Sequence, residues 1–377
     1  MGLPSGKHHY ARYCHGQNRR HDRGKAQACL CGRRSGKQRR LPTSLSRILI
    51  VLVLALVGTI SIAQAETLRI ATFNAELSRK GPGLLLRDIQ RGKDPQISAF
   101  KQLLNEIRPD IIMLQGVDYD LRHTALDALA RDLAAGGLAY PHIFASAPNA
   151  GQASGLDLNG NGKLGEADDA HGYGRFNGMG GMAILSRFPI LNDAVEDYTP
   201  LLWRDLKEHI YPMVDNDPFG GPDVFAAHRL SSRGHWVVPV ETPGFGTLRL
   251  MTFYATPPLY DGPEDRNGRR NHDEVAFWLE YLARDDSPLP LVLGGTANVD
   301  PLNGSGRPEA INALLAHPAL QNPFDATPTA DFGAASAGAL RLDYLLPSAG
   351  WQIAAHGIVH SPTASRHSLM WVDIAPR

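Results

Sequence analysis

The chain has 377 residues, enough for one large catalytic domain or two small ones, and its 43% hydrophobic and 20% charged residues are the balance of a globular protein. Basic and acidic residues are equal at 38 each, but twelve of the Lys/Arg and only one acid, Asp22, fall in residues 1–65. The remainder is net −11, which argues against a tight, sequence-blind grip on nucleic acid, because such a grip needs many cationic phosphate contacts.

Residues 1–40 are basic and Gly-rich without apolar periodicity, the composition of a disordered segment. They read as an over-extended gene start or a tail on the inner side of a membrane, with a nucleic-acid-binding arm as the less economical account. Residues 41–65 read as a secretory signal. Arg39, Arg40 and Arg47 precede an apolar run from Ile48 to Ile62, and Ala63-Gln64-Ala65 offers a small-residue cleavage site. The run is short for a membrane span, which takes roughly 20 apolar residues. The expectation is therefore a secreted or periplasmic protein with no stable membrane partner after cleavage, the alternative being a signal anchor in the inner membrane. Cys14, Cys29 and Cys31 all precede the cleavage site, so the mature chain holds no disulfide.

The rest, 66–377, shows no composition break and reads as one domain and a monomer. Residues 67–74 predict a strand ending on Asn74. Phe100, Leu103, Leu104 and Ile107 fall at helical spacing, Pro109 ends that helix, and Ile111 to Leu114 is a buried apolar strand. The order repeats with a strand at 247–254, a helical stripe through Val275, Trp278, Leu279 and Leu282, and a strand at Leu291–Leu293. A helix opens at Pro308, residues 326–339 read as an Ala/Gly/Thr-rich surface loop, and strands at 340–346 and 368–374 close the chain. Strand and helix in alternation predict an α/β sheet covered by helices. Asn74, Asn298, Asp343 and His367 stand where strands end, the usual place for a ligand site in such sheets; each singly also reads as a turn former.

DLNGNGKLGEAD at 157–168 fits a calcium loop. Asp157, Asn159 and Asn161 take positions one, three and five, Gly162 the sharp turn, Lys163 the carbonyl position and Asp168 position twelve. A stack of Asn-Gly turns is the competing account, and the Gly/Ala/Ser-rich stretch at 148–156 argues against flanking helices.

Four segments in order, with one inner strand, resemble the endonuclease/exonuclease/phosphatase superfamily. They are TFN at 72–74, Ile111 to Gln115, GTAN at 295–298, and RLDYLLPS at 341–348 followed by SRH at 365–367; GGMAILSRFPI at 180–190 is similar to the inner strand. The resemblance covers about 67–375. It implies a four-layer sandwich of two packed mixed β-sheets flanked by helices, and phosphoester hydrolysis assisted by Mg²⁺ or Mn²⁺. Carried over by position, Asn74, Asn298, Asp343 and His367 are retained. Four positions depart: Gly116 stands for a metal-binding Glu, Tyr254 for a His, Thr296 for the Asp of GDxN, and Arg366 for an acid before the final His.

Strand alternation would put Asp118 on the face of Gly116, making it a substitute metal ligand or else a solvated strand exit. TPPLYDGPEDRNGRRNHDEV at 256–275 is similar to a loop in secreted bacterial members. It reads either as an active-site rim or as a salt-bridged loop and helix cap. In the rim reading Arg269 and Arg270 take phosphate and His272 or Glu274 lies near the metal. Arg366 adds a bidentate phosphate donor. The expected function is an exported metal-dependent phosphoesterase acting on a phosphate ester, with nucleotides and nucleic acid among the candidates. A catalytically degenerate phosphate-binding relative is the alternative, and a calcium-stapled surface protein a third.

Overall fold

The computed structural model describes residues 67–377, so the readings on 1–66, including the signal and its cleavage site, lie outside the described residues. Among the described residues no helix is long and apolar enough to cross a membrane.

The chain opens with β1 (Leu68–Asn74), then helices α1 (Leu84–Arg91) and α2 (Pro95–Ile107). Asp94 caps α2 by accepting the Ile97 N–H at 2.9 Å, Pro95 sits in the first turn, and Arg108 leaves the helix in a left-handed conformation. β2 (Ile111–Val117), α3 (Thr124–Ala135), β3 (His142–Phe144) and β4 (Gly181–Ser186) follow. Next come β5 (Glu196–Asp197), the small hairpin β6 (Met213–Val214) and β7 (Asp217–Pro218), and α4 (Pro222–Ala227). β8 (His235–Thr242) and β9 (Gly246–Tyr254) lead into α5 (Arg266–Arg284), β10 (Leu291–Thr296) and α6 (Glu309–Leu315). The chain ends with β11 (Ala330–Asp331), β12 (Ala339–Leu340), β13 (Asp343–Pro347), β14 (Trp351–Val359) and β15 (Leu369–Pro376).

Two mixed sheets carry the fold, in the orders β14-β15-β1-β2-β4-β3 and β13-β10-β9-β8-β5. They face each other. Leu68, Ile70, Ile111, Met113 and Ile184 of the first sheet meet Trp236, Val238, Leu250, Val292 and Leu345 of the second in one buried cluster. The opposite faces are covered by helices. Phe73, Leu114 and Leu185 pack on Phe100, Leu104 and Leu129, while Met251, Phe253 and Leu293 pack on Val275, Trp278 and Ile311. Period-two alternation thus supplies both faces of each sheet with apolar side chains, giving the expected four layers.

Three expectations are corrected. α5 begins nine residues before its apolar stripe and takes in much of the supposed loop at 256–275. The 326–339 stretch is not wholly surface, because Thr329 and Ala330 are buried and bridge to the strand end at His367. β2 bulges at Gly116, whose φ is +72°, and the register shifts between Gln115 and Val117, so simple alternation to Asp118 fails.

Candidate functional site

The cleft lies across the ends of the central strands of both sheets. Asn74 pairs in register with Gln115, while Tyr254, Thr296 and Asp343 stand side by side on β9, β10 and β13. The cleft holds about 410 Å³ and is lined chiefly by Asn74, Glu76, Gly116, Arg233, Tyr254 and Arg366.

His367 and Asp343 form a buried pair, Nδ1 to Oδ2 at 2.8 Å. Thr329 supports it by donating its hydroxyl to Asp343 Oδ2 at 3.0 Å and accepting the Leu342 and Asp343 N–H groups. Thr296 donates to Asp343 Oδ1 at 2.6 Å. A second carboxylate at 296 would sit against the first; the hydroxyl makes a hydrogen bond there instead. Burial alone would lower the His367 pKa, but the Asp343 charge and hydrogen bond outweigh it and hold the imidazole above its ordinary value. Nε2 has no hydrogen-bond partner among the described residues, so it is the nitrogen left for chemistry.

The carboxylate of the cleft comes from a residue the sequence did not single out. Glu76 sits at φ 48°, two residues past β1. Its oxygens accept from the Arg366 N–H at 2.9 Å, from Arg366 Nε at 3.0 Å, from Arg366 Nη2, and from Ser365 Oγ at 3.1 Å. Burial would raise its pKa, yet the Arg366 contacts, with His367 close by, hold the carboxyl below the ordinary range. The Arg366 guanidinium also lies 4.9 Å from the Phe332 ring centroid. Arg233 lies 5.4 Å from the Tyr254 ring centroid, and its sealed Nε has no partner.

These residues do not fit the Mg²⁺ or Mn²⁺ that the resemblance implies. A hard divalent cation wants several oxygen donors of net negative charge. The cleft lining offers one carboxylate, already matched by Arg366, and two amides: Asn74, whose Nδ2 is buried without a partner, and Gln96, whose oxygen accepts from Arg79 at 2.9 Å. Two guanidiniums face any ion placed there. Among the described residues no three His, Cys, Asp or Glu come together to hold a metal.

Several predicted residues lie elsewhere. Asp118 is buried beneath the cleft, with its oxygens taken by Ser78 Oγ at 2.7 Å, Arg79 N at 2.8 Å and Gly180 N at 2.9 Å; it is a strut for the loop ends. Burial nonetheless leaves its carboxyl raised. Glu274 is fully buried and accepts the Ser232 and Thr256 N–H groups. His272 hydrogen-bonds Asp273 at 2.8 Å, Arg269 reaches only the Glu264 and Ile210 carbonyls, and Arg270 is buried among carbonyls. None of the five lines the cleft. Asn298, in a left-handed conformation, donates its amide to the Ala255 carbonyl at 2.8 Å. In the 157–168 loop, Asp157 accepts the Asn161 and Gly162 N–H groups, Asn159 accepts Asn161 N–H, and Asn161 accepts Lys163 N–H, while Asp168 faces a neighbouring cavity.

Glu76, Arg233 and Thr329 are the site residues that sequence patterns missed. No side-chain pattern marks any of the three; Glu76 offers only its place two residues after Asn74.

The chain matches the Endonuclease/Exonuclease/phosphatase family over residues 71–367. No curated protein matches it. Among solved structures it is similar to an endonuclease/exonuclease/phosphatase from Beutenbergia cavernae DSM 12333, with a TM-score of 0.52 and 18% identity over 82% of this chain and 72% of that one. An endonuclease/exonuclease/phosphatase family protein from Bacteroides thetaiotaomicron has a TM-score of 0.47 and 15% identity over 83% and 99% of the two chains. For sphingomyelinase C from Streptomyces griseocarneus the values are 0.46 and 16% over 82% and 99%.

Proposed function

This chain belongs to the endonuclease/exonuclease/phosphatase family, and from that premise we propose that its cleft recognises phosphate esters through cationic side chains and has given up metal-assisted hydrolysis. The observation that carries this reading is the pairing of the cleft's carboxylate, Glu76, with Arg366. A guanidinium is a fork of donors suited to phosphoryl oxygens, and hydrogen bonds to charged groups are the strong ones. Glu76 holds that fork in place. Arg233 and the Tyr254 hydroxyl supply further donors, and His367, buried near Glu76 and biased toward its charged form by Asp343, adds positive charge behind them. The net −11 of residues 66–377 favours a small ester over long duplex DNA.

Calorimetric titration of the full chain with inorganic phosphate and p-nitrophenyl phosphate tests this. Binding is expected to be the same with EDTA or Mg²⁺ present, and Arg366→Ala is expected to weaken it about tenfold or more, the loss of a charged hydrogen bond. Turnover stimulated by Mg²⁺ or Mn²⁺ and lost in His367→Ala would overturn the reading. Slow hydrolysis without metal is a second reading, favoured by the intact His367–Asp343 pair. In it His367 takes a proton from the attacking water, and the same assay in EDTA measures it.

The loop at 157–168 supports a separate proposal of weak calcium binding through Asp157, Asn159, Asn161, the Lys163 carbonyl and Asp168. Uptake of one calcium, abolished by Asp157→Ala, is the expected calorimetric result. No heat in the wild-type protein would sink it.

A further inference from the structure

Beside the cleft lies a second cavity of about 390 Å³. Arg233 lines both, so the two spaces meet at one guanidinium. Arg266 and Arg270, from the first two turns of α5, line the second cavity, with Tyr173 and Tyr260 among its exposed lining and Asp168 as its carboxylate. None of the three arginines has a carboxylate within 4.0 Å among the described residues; their recorded hydrogen bonds all go to backbone carbonyls. Arg270 spends its donors on such carbonyls and supplies field but no free contact. Arg266 gives Nη1 to the Leu158 carbonyl at 2.5 Å, and its Nε and Nη2 have no partner among the described residues. Glu274, buried near Arg270, offsets part of that charge, but Arg233 and Arg266 set against Asp168 still leave the cavity with surplus positive charge in a place of reduced hydration. Such charge is costly unless an anion matches it.

We propose that this cavity is a second anion subsite and that the ligand is a phosphate ester carrying a second anionic group at its far end. This rests on the phosphate reading of the cleft. Arg366, Arg233 and Tyr254 take the first phosphoryl group; Arg266 takes the second anion, with Tyr260 and Tyr173 flanking the connecting body. Asp168 opposes it and limits its affinity.

The test uses the full chain in EGTA, which keeps calcium off the loop. The probes are inorganic phosphate, alkyl monophosphates, and alkane-α,ω-diol bisphosphates of increasing chain length. Two linked sites gain from effective concentration only when the linker spans them, so one chain length is expected to bind at least about tenfold tighter than its monophosphate. Arg266→Gln is expected to remove that gain and leave monophosphate affinity unchanged, and Asp168→Asn to increase it. Absence of monophosphate binding overturns the phosphate reading of the cleft. Monophosphate binding without a gain at any length overturns the second subsite alone. Should Arg266→Gln fail to fold, Asp168→Asn decides: an unchanged bisphosphate gain overturns the proposal.

Discussion

Arg270→Met is expected to destabilise the protein by more than about 4 kcal/mol, the largest single-residue effect we anticipate, since each orphaned buried carbonyl costs about 1–3 kcal/mol. The Arg270 guanidinium holds the carbonyls of Leu230, His171, Arg229 and Ser231, three of them within 2.8 Å or less. The Ser231 carbonyl also accepts from Asn149 at 2.7 Å, so the variant orphans the other three carbonyls, which have no second donor among the described residues. Burial pushes the Arg270 pKa down to about 10, which still leaves it charged at neutral pH. The thioether chain of methionine fills the space but donates nothing. Urea denaturation of the variant beside Arg269→Met gives the measurement. Arg269 reaches only two carbonyls, at 3.3 and 3.4 Å, and its replacement is expected to cost under about 1 kcal/mol, as for ordinary surface changes. A shift below 1 kcal/mol for Arg270→Met would show that the carbonyls find water instead.

Arg270 also shows why part of the molecule was legible in the sequence and part was not. Apolar periodicity located β1, α2, β2, β9, β10 and the stripe of α5, because the core side chains obey it. It did not register the first turns of α5, where the buried side chains are Arg266, Arg270, Asn271, Asp273 and Glu274. A buried polar helix face has the composition of an exposed loop, and only the carbonyls it meets tell the two apart. The cleft divides in the same way. Asn74, Tyr254 and Arg366 were legible as positions of a familiar order, and they line the cleft together. What replaced the lost acids was not. Glu76 enters the cleft because β1 ends and the chain turns to positive φ, a backbone event with no side-chain pattern. Gly116 likewise marks more than a missing carboxylate. A Cβ there would come within 2.6 Å of Asn74 Oδ1 and 3.1 Å of the Glu76 N–H nitrogen, so the left-handed bulge has closed over the place a longer side chain would need.

Stability is expected to fall steeply as pH drops from about 7 to about 5, because three buried histidines resist protonation. Burial lowers His228 well below its ordinary pKa, and Arg270 and Arg266 add to the effect. Burial brings His235 down to about 4 against an opposing hydrogen bond to the Glu274 carbonyl, and burial with Arg229 and Arg270 brings His171 to about 4. The unfolded chain binds these protons near pH 6.5, while the folded chain refuses those of His235 and His171 until about pH 4 and keeps His228 neutral well below its ordinary value. Stability is therefore fully present above about pH 6.5 and lost as pH falls through that window, by up to about 4 kcal/mol per pH unit for three sites. His367 runs the other way. Its folded pKa is raised, so its contribution is complete at low pH and fades as pH rises past that value, and it offsets part of the slope. His235 is the site to isolate, because its ring sits between Ser231 Oγ at 2.9 Å and the Glu274 carbonyl at 2.8 Å, with Phe253, Phe277 and Trp278 around it. One nitrogen accepts and the other donates, an arrangement only the neutral ring can make without turning the serine hydroxyl. His235→Gln keeps an acceptor and a donor and cannot titrate. Urea midpoints of this variant across the pH range are expected to fall less steeply than wild type by about one third, since one of three protons is removed from the linkage. A wild-type midpoint that stays flat between pH 7 and 5 would mean that the folded protein admits those protons, through water reaching the rings.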